Sequence, residues 1–334
     1  MAGYSHESKK PRMLRSIFMV ALYAAIFLAL FLFARSLDEP EPAPSYGSLD
    51  GRFTSDITMS LAGKTLSYRE NEITNYLLIG VDREKLVVTD YQSGGQADFI
   101  LVLSVDRRHR TITPVMIDRD SMADVTTYGI FGNVAGTRKM QICLAQAFSG
   151  SGVTNSRNTA SAVTKLLGGV KINRYLLLDL EGIAILNDAV GGVTVTLEDD
   201  LTALSPYLKK GDTVHLRGNL AEHFVRGRTT VADGTNASRM TRQKTYIEAF
   251  IKTVTRSLNE DASLIQDVFS QLGSHIESDT DEELLINDVN SYKNYEWQDL
   301  VLLPGTHVIG QDGFAEFWLD EQAAAKVIAD IWFR

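Results

Sequence analysis

Cysteine is almost absent from this chain. Cys143 is the single one among 334 residues, so no intrachain disulfide can form and packing alone must hold the fold. It sits in an apolar pattern, which suits a buried packing residue better than a nucleophile. The six histidines are scattered, and none is paired at a spacing such as HExxH, which argues against zinc. A phosphate-cradling GxxxxGK[ST] loop is missing, and Gly150-Ser151-Gly152 does not make a GxSxG elbow. Positive charge is also short. Lys and Arg number 33 against 42 acids, a net charge of −9, where a nucleic-acid binder would carry a basic stripe.

What positive charge exists is concentrated at one end. Residues 1–15 hold Lys9, Lys10, Arg12 and Arg15 against Glu7, a net of +3, which leaves −12 for the rest. Directly after this tip comes IFMVALYAAIFLALFLFA, an uncharged run over 17–34. As a helix it would be about 27 Å long, close to the ~30 Å hydrocarbon core of a bilayer. It is apolar on every face, unlike a core helix, and it ends in Phe33-Ala34-Arg35 rather than a small-x-small cleavage site. Residues 16–35 are therefore expected to be an uncleaved signal-anchor. The basic tip would stay in the cytoplasm by the positive-inside rule, with the remainder outside the cell. Three of the seven prolines and three acids then crowd into SLDEPEPAPSYGS, which makes 36–50 an extended, solvated linker. The folded part is expected over 51–334, one large domain.

Within that part, residues 55–69 alternate weakly and predict a β-hairpin with Gly63-Lys64 at the turn. NYLLIGV (75–81), FILVLSV (99–105) and TITPVMI (111–117) predict strands, the last placed at an edge or bulge by Pro114. The short polar link DRRHR fits a hairpin loop between the second and third. Residues 138–148 and 158–167 read as helices, the second closed by Gly168-Gly169. A strand over 175–180, a helix over 181–190 ended by Gly191-Gly192, and a strand over 193–197 follow. A short helix over 217–225 precedes a long one over 238–258, in which Ile247, Phe250, Ile251, Val254 and Leu258 recur at helical spacing. Residues 259–291 read as further helix, 301–303 as a late strand and 321–332 as a closing helix. Strands and helices intermix, so the expected class is α/β, a mixed central sheet flanked by helices.

Charged residues stand where these strands end. Asp82 follows the first strong strand, Asp98 precedes the second, and Arg119 and Asp120 follow the third. If the three run up, down and up, Asp82, Asp98 and Arg119 meet at one sheet edge. Two carboxylates there suit a hard cation such as Mg²⁺, which takes one or two carboxylates beside phosphate oxygens. They also suit ordinary strand-end turns, where Asp is frequent. Arg226 and Arg228 follow the short helix, while Arg239, Arg242 and Gln243 fall at i, i+3 and i+4 near the start of the long one. Arginine at that positive helix end is unfavourable without an anion, and its forked guanidinium matches phosphate. The other reading of these arginines is a solvated basic face paired with the abundant acids.

The same residues carry a resemblance. YLLIGVDRE (76–84), QADFILVLSVD (96–106) and VMIDRDSM (115–122) resemble the opening block of LytR-CpsA-Psr proteins. DLEGIAILNDAVGGVTVTL (179–197) resembles their central segment. LRGNLAEHFVRGR (216–228) and NASRMTRQ (236–243) resemble their arginine block. The resemblance implies a membrane-anchored phosphotransferase that moves a glycopolymer from a polyprenyl-pyrophosphate donor to a muramic acid hydroxyl of peptidoglycan. By position, Asp82 and Asp98 would hold Mg²⁺ or Mn²⁺. Arg119, Arg226, Arg228, Arg239 and Arg242 would grip the pyrophosphate with help from Gln243, and Lys139 falls near a family lysine. The lipid would lie in an apolar channel between sheet and helices. Asp98 and Asp120 are both open as the base for the acceptor hydroxyl. Two departures stand out: Asp118 occupies a place where the family often has proline, and residues 144–148 (LAQAF) replace a frequent histidine-tyrosine stretch. A hydrolase of the same lipid and a non-catalytic envelope sensor are the rival functions.

Overall fold

The structure, a computed structural model, describes residues 57–83, 86, 95–129, 132–147, 152–227, 236–261 and 263–334. All of them belong to the unit Gly47–Arg334. The basic tip (1–15), the expected anchor (16–35), the linker (36–50) and Arg228 lie outside the described residues. Among the described residues no helix is long and apolar enough to cross a membrane.

A small hairpin, β1 (Thr58–Leu61) and β2 (Lys64–Ser67), opens the described chain and turns at Ala62-Gly63. The three strong apolar runs form β3 (Ile73–Val81), β4 (Ala97–Asp106) and β5 (Thr111–Ile117), an antiparallel meander at the centre of a seven-stranded mixed sheet. β8 (Arg174–Leu178) lies parallel to β3, and β11 (Ile276–Ser278) adds antiparallel to β8. On the far side β5 takes two short parallel partners, β12 (Glu296–Trp297) and β13 (Val301–Leu302). Ile112 O accepts from Gln298 N, so groups of the same parity on β5, Pro114 included, face that outer side. Pro114 sits between the registers of β12 and β13, where its missing N–H breaks no ladder bond.

Each central strand is apolar on both faces because both are covered. Leu77, Ile79, Ile100, Val102, Val115 and Ile117 point into one core with α1 (Gly152–Leu166) and the closing helix α7 (Glu321–Trp332). Tyr76, Leu78, Leu101 and Met116 point the other way. There the sheet is covered by α2 (Leu180–Ala189), α4 (Asn236–Glu260), α5 (Leu264–Leu272) and α6 (Glu282–Tyr292). A smaller core joins the β9 (Val193–Thr196)–β10 (Thr213–Leu216) hairpin to α3 (Asn219–Arg226) and α4.

Two expectations need correction, and one hairpin was not expected. Residues 138–148 are not a helix: β7 (Val134–Gln141) pairs antiparallel with β6 (Met122–Tyr128), and only Ile142–Gln146 coils, as a 3₁₀ turn. Cross-strand pairing with 122–128 outweighs the local helical spacing there. Residues 259–291 are not one helical stretch, since β11 separates α5 from α6. The late strand at 301–302 is followed by an unexpected hairpin, β14 (Gly305–Ile309) and β15 (Ala315–Leu319), which lies beside Ser121.

Two polar devices tie the far end together. Trp332 is fully buried, and its Nε1 donates to Asn75 Oδ1 at 2.8 Å, while Asn75 Nδ2 donates to Lys171 O. Asp106 closes the β4–β5 turn by accepting from Arg108 N, His109 N and His109 Nδ1, and it also pairs with Arg69. Burial works against the Asp106 carboxylate, but these donors hold its pKa at about 2, below the ordinary 3.8.

Two outcomes follow. Trp332→Phe leaves Asn75 Oδ1 without its donor in a dry core and should cost about 1–3 kcal/mol in denaturant unfolding; an unchanged midpoint would show that the bond is dispensable. A depressed carboxylate stabilises above its unfolded pKa and loses that as the pH falls through its folded one. The stability lent by Asp106 should therefore drain away between about pH 4 and pH 2, and Asp106→Asn should flatten that part of the stability–pH curve.

Candidate active site

The up–down–up order places the predicted residues as expected at one edge. Asp82 lies just past β3, Asp98 near the start of β4, and Asp118-Arg119-Asp120 just past β5. Asp98 has a further property. The β3–β4 register runs Gly80↔Phe99 and then Val81↔Ala97, so Asp98 is the extra residue of a bulge. A bulge re-aims a side chain at the cost of a local break in the ladder. Here Ala97 still packs in the core while the Asp98 carboxylate reaches the edge.

The carboxylate of Asp98 is shared by two arginines. Arg119 Nη1 donates to Oδ1, and Arg239 Nη1 donates to Oδ2 at 2.8 Å. Arg119 also reaches Gln96 Oε1, Cys143 Sγ (3.1 Å) and Asp120 Oδ1 (3.3 Å). Burial disfavours the Arg119 charge, but the anionic groups around it hold the guanidinium pKa above its usual range. The Cys143 thiol, buried in the same place, is pushed up to about 11 by its burial, which keeps it protonated and unsuited to attack.

The arginine block divides into two jobs. Arg239 faces the edge from the first turn of α4, and Arg226, at the end of α3, pairs with Asp82 at 3.0 Å. Arg242 turns away. Its Nε donates to Phe224 O at 3.4 Å and its Nη2 to Gly227 O, while Gln243 Nε2 donates to Val225 O. These carbonyls are the last of α3, so Arg242 caps the segment that carries Arg226. Lys139 pairs with Asp124 across the β6–β7 hairpin at 3.0 Å and lines neither of the two cavities described next. Arg228 lies outside the described residues.

Two cavities meet at these side chains. A polar cleft of about 410 Å³ is lined by Asp82, Gln96, Asp98, Arg119, Arg226 and Arg239, with His223 at its rim. An apolar cavity of about 330 Å³ runs beneath it, between the sheet face of Leu78, Phe99 and Leu101 and the helical residues Ile247, Phe250 and Val254. Asp98, Arg226 and Arg239 line both. An amphiphile with a doubly charged head fits such a pair of spaces, its tail in the dry cavity and its head at the arginines.

This geometry agrees with relationships found by comparison. The profile of the LytR_cpsA_psr family matches residues 50–329. The chain belongs to that family. It is similar, at 25% identity over 265 residues and 79% of each chain, to the polyisoprenyl-teichoic acid–peptidoglycan teichoic acid transferase TagU of Bacillus mycoides. Its fold is similar to that of protein gbs0355 from Streptococcus agalactiae, with TM-score 0.63 and 19% identity, covering 78% of this chain and 87% of that one. It is also similar to that of TagV from B. subtilis, with TM-score 0.57 and 20% identity, covering 78% and 96%.

Sequence reasoning missed three residues at this edge. Gln96 holds Arg119, and Asn236 Oδ1 accepts from Arg239 Nη2 at 2.7 Å. His307 Nε2, on β14, lies 2.8 Å from Asp118 Oδ2. Asp118 is buried, and burial pushes its carboxyl up against the opposing pull of Asp120 N, His307 and Arg239. Asp118, Asp120 and His307 offer ligand atoms within 4.8 Å of one another, a group that could hold a metal ion. Gln96 and Asn236 sat inside the quoted motifs without a signal of their own. His307 carried none, because nothing in its surroundings tells that its hairpin folds back onto residue 118.

The Arg242 geometry has a measurable consequence. Arg242→Met should lower stability by about 1–3 kcal/mol through the stranded carbonyls, with inorganic pyrophosphate binding reduced only secondarily. Lost pyrophosphate binding at unchanged stability would instead place Arg242 among the phosphate-gripping arginines.

Proposed function

We propose that this chain transfers a polyprenyl-pyrophosphate-linked glycopolymer to peptidoglycan with release of polyprenyl phosphate. The observation that carries this is the apolar cavity opening onto the arginine cleft through Asp98, Arg226 and Arg239. The transferase name of the TagU relative and membership of the family support it.

An acceptor hydroxyl oxygen bonds to the glycan-linked phosphorus as the bond from that phosphorus to the bridging oxygen breaks. Polyprenyl phosphate leaves. Such a transfer needs positioning and charge neutralisation more than covalent help from the protein. Arg119, Arg226 and Arg239 line the place where that charge develops. They are now paired with Asp82 and Asp98, and an incoming pyrophosphate competes for the same guanidiniums. Asp82 and Asp98 line one cleft and offer hard oxygen ligands, a set that fits Mg²⁺ or Mn²⁺ bound together with phosphate oxygens. Such an ion would neutralise the two acids and add Lewis-acid charge to the phosphate. Arg228 and Gln243 would extend the grip on the head group. Asp98 or Asp120 would take the hydroxyl proton. Asp120 is buried and does not line the cleft, which favours Asp98 at the open cleft. Residues 16–35 would anchor the chain as a single-pass membrane protein, its basic tip cytoplasmic and its folded part outside the cell, where lipid-linked donor and peptidoglycan meet.

Incubating the full chain with a lipid-linked teichoic acid precursor, Mg²⁺ and peptidoglycan fragments tests this. Coupled product supports the transferase, free glycan phosphate a hydrolase of the same lipid, and neither a non-catalytic sensor. Asp98→Ala and Arg119→Ala should each lower product by at least about a hundredfold while lipid retention in the apolar cavity persists. Full activity in either variant would sink the assignment.

A further inference from the structure

The β14–β15 hairpin approaches the catalytic edge at the turn Asp118-Arg119-Asp120. Phe317 N donates to Asp120 O at 2.8 Å, and Gln141 Nε2, next to that turn, donates to Ala315 O at 2.5 Å. His307 Nε2 meets Asp118 Oδ2 at 2.8 Å, with its ring held against Phe317 at 4.7 Å between centroids. Asp118 is thus a buried carboxylate whose Oδ2 faces the hairpin and whose Oδ1 faces inward.

From Oδ1 a continuous chain of side-chain bonds leads to the cleft. Asn236 Nδ2 donates to Asp118 Oδ1 at 2.9 Å, and Asn236 Oδ1 accepts from Arg239 Nη2 at 2.7 Å. Arg239 Nη1 then donates to Asp98 Oδ2 at 2.8 Å, and the other oxygen of Asp98 takes Arg119. Asp118, Asn236 and Arg239 are all almost wholly buried, so none can exchange its partner for water without cost. The primary amide matters at the centre. Asn236 must donate to one charged neighbour and accept from the other, and only one orientation of the amide does both. Asp118 selects that orientation, its Oδ1 held by Asp120 N at 2.8 Å and its Oδ2 by His307.

We propose that His307 is a positioning residue for the arginine cleft: through Asp118 and Asn236 it sets the direction of the Arg239 guanidinium, although it lies outside the cleft. The C-terminal hairpin then has a role in the reaction besides completing the fold. This rests on the proposed function only in taking the cleft to bind a prenyl pyrophosphate.

The test compares the affinities of the full chain, in detergent solution, for farnesyl pyrophosphate and for farnesol. Farnesol reports the apolar cavity alone, and the ratio of the two reports the arginines. His307→Ala should lower the ratio about tenfold, since small misplacements of a charged clamp are costly, with farnesol binding unchanged. His307→Gln, which keeps an N–H donor near the place of Nε2, should restore most of it. Asn236→Asp, which cannot donate to Asp118, should give a similar loss, and His307→Ala added to it should lower the ratio little further, as for members of one chain. A merely structural hairpin would move the unfolding temperature and farnesol binding together, and the glutamine variant would not recover the ratio selectively. Wild-type preference for the pyrophosphate that survives His307→Ala overturns this inference alone. A wild type with no preference overturns the proposed function and this inference with it.

Discussion

The shared carboxylate of Asp98 is the constraint around which the site is arranged. Arg119 and Arg239 come from elements far apart in the chain, and both are largely withdrawn from water. Two guanidiniums that close would repel each other in a low-dielectric edge, so one anion must stand between them. The β4 bulge puts it there by turning Asp98 out of the strand alternation that keeps Ala97 and Ile100 in the core. Without the bulge the carboxylate could not reach the edge while Ala97 and Ile100 both kept their places.

The sheet serves two ends with the same residues because strand periodicity is two. One face gives Leu77, Ile79 and Val102 to a closed core with α1 and α7, sealed by Trp332 on Asn75. The opposite face gives Leu78, Phe99 and Leu101 to a space that α4 and α5 cover without filling. A helix pair packed tightly on that face would have abolished the cavity. The long α4 instead touches the sheet through Met240 and Ile247, while its first turn carries Arg239 to the mouth. Dry and charged spaces therefore abut along one helix, as a lipid with an anionic head requires.

Much of this was legible in the sequence. The apolar runs 75–81, 99–105 and 111–117 with the polar loop DRRHR are local signals, and a short loop between strands has few outcomes besides a hairpin. Asp82, Asp98 and Arg119 could be brought together from strand order alone. The phase of α4 put Arg239, Arg242 and Gln243 on one side, but phase does not say what each reaches. Arg242 is spent on the α3 carbonyls of Phe224 and Gly227, whereas Arg239, three residues earlier, reaches Asp98. Residues 138–141 looked helical because their pairing partner lies on another strand, which periodicity within a window cannot register.

The sequence by itself determined the class of fold, the two-faced central strands, the edge at which acids and arginine gather and the family. These follow from alternation, helical phase and short connections, all of which act over a few residues. Only the tertiary structure decided which arginines face the cleft, that Asp98 stands on a bulge, and that His307 closes on Asp118. Those depend on contacts such as 118 with 307 and 98 with 239, between segments separated by most of the domain, whose partners are chosen by the packing of the whole sheet and its helices.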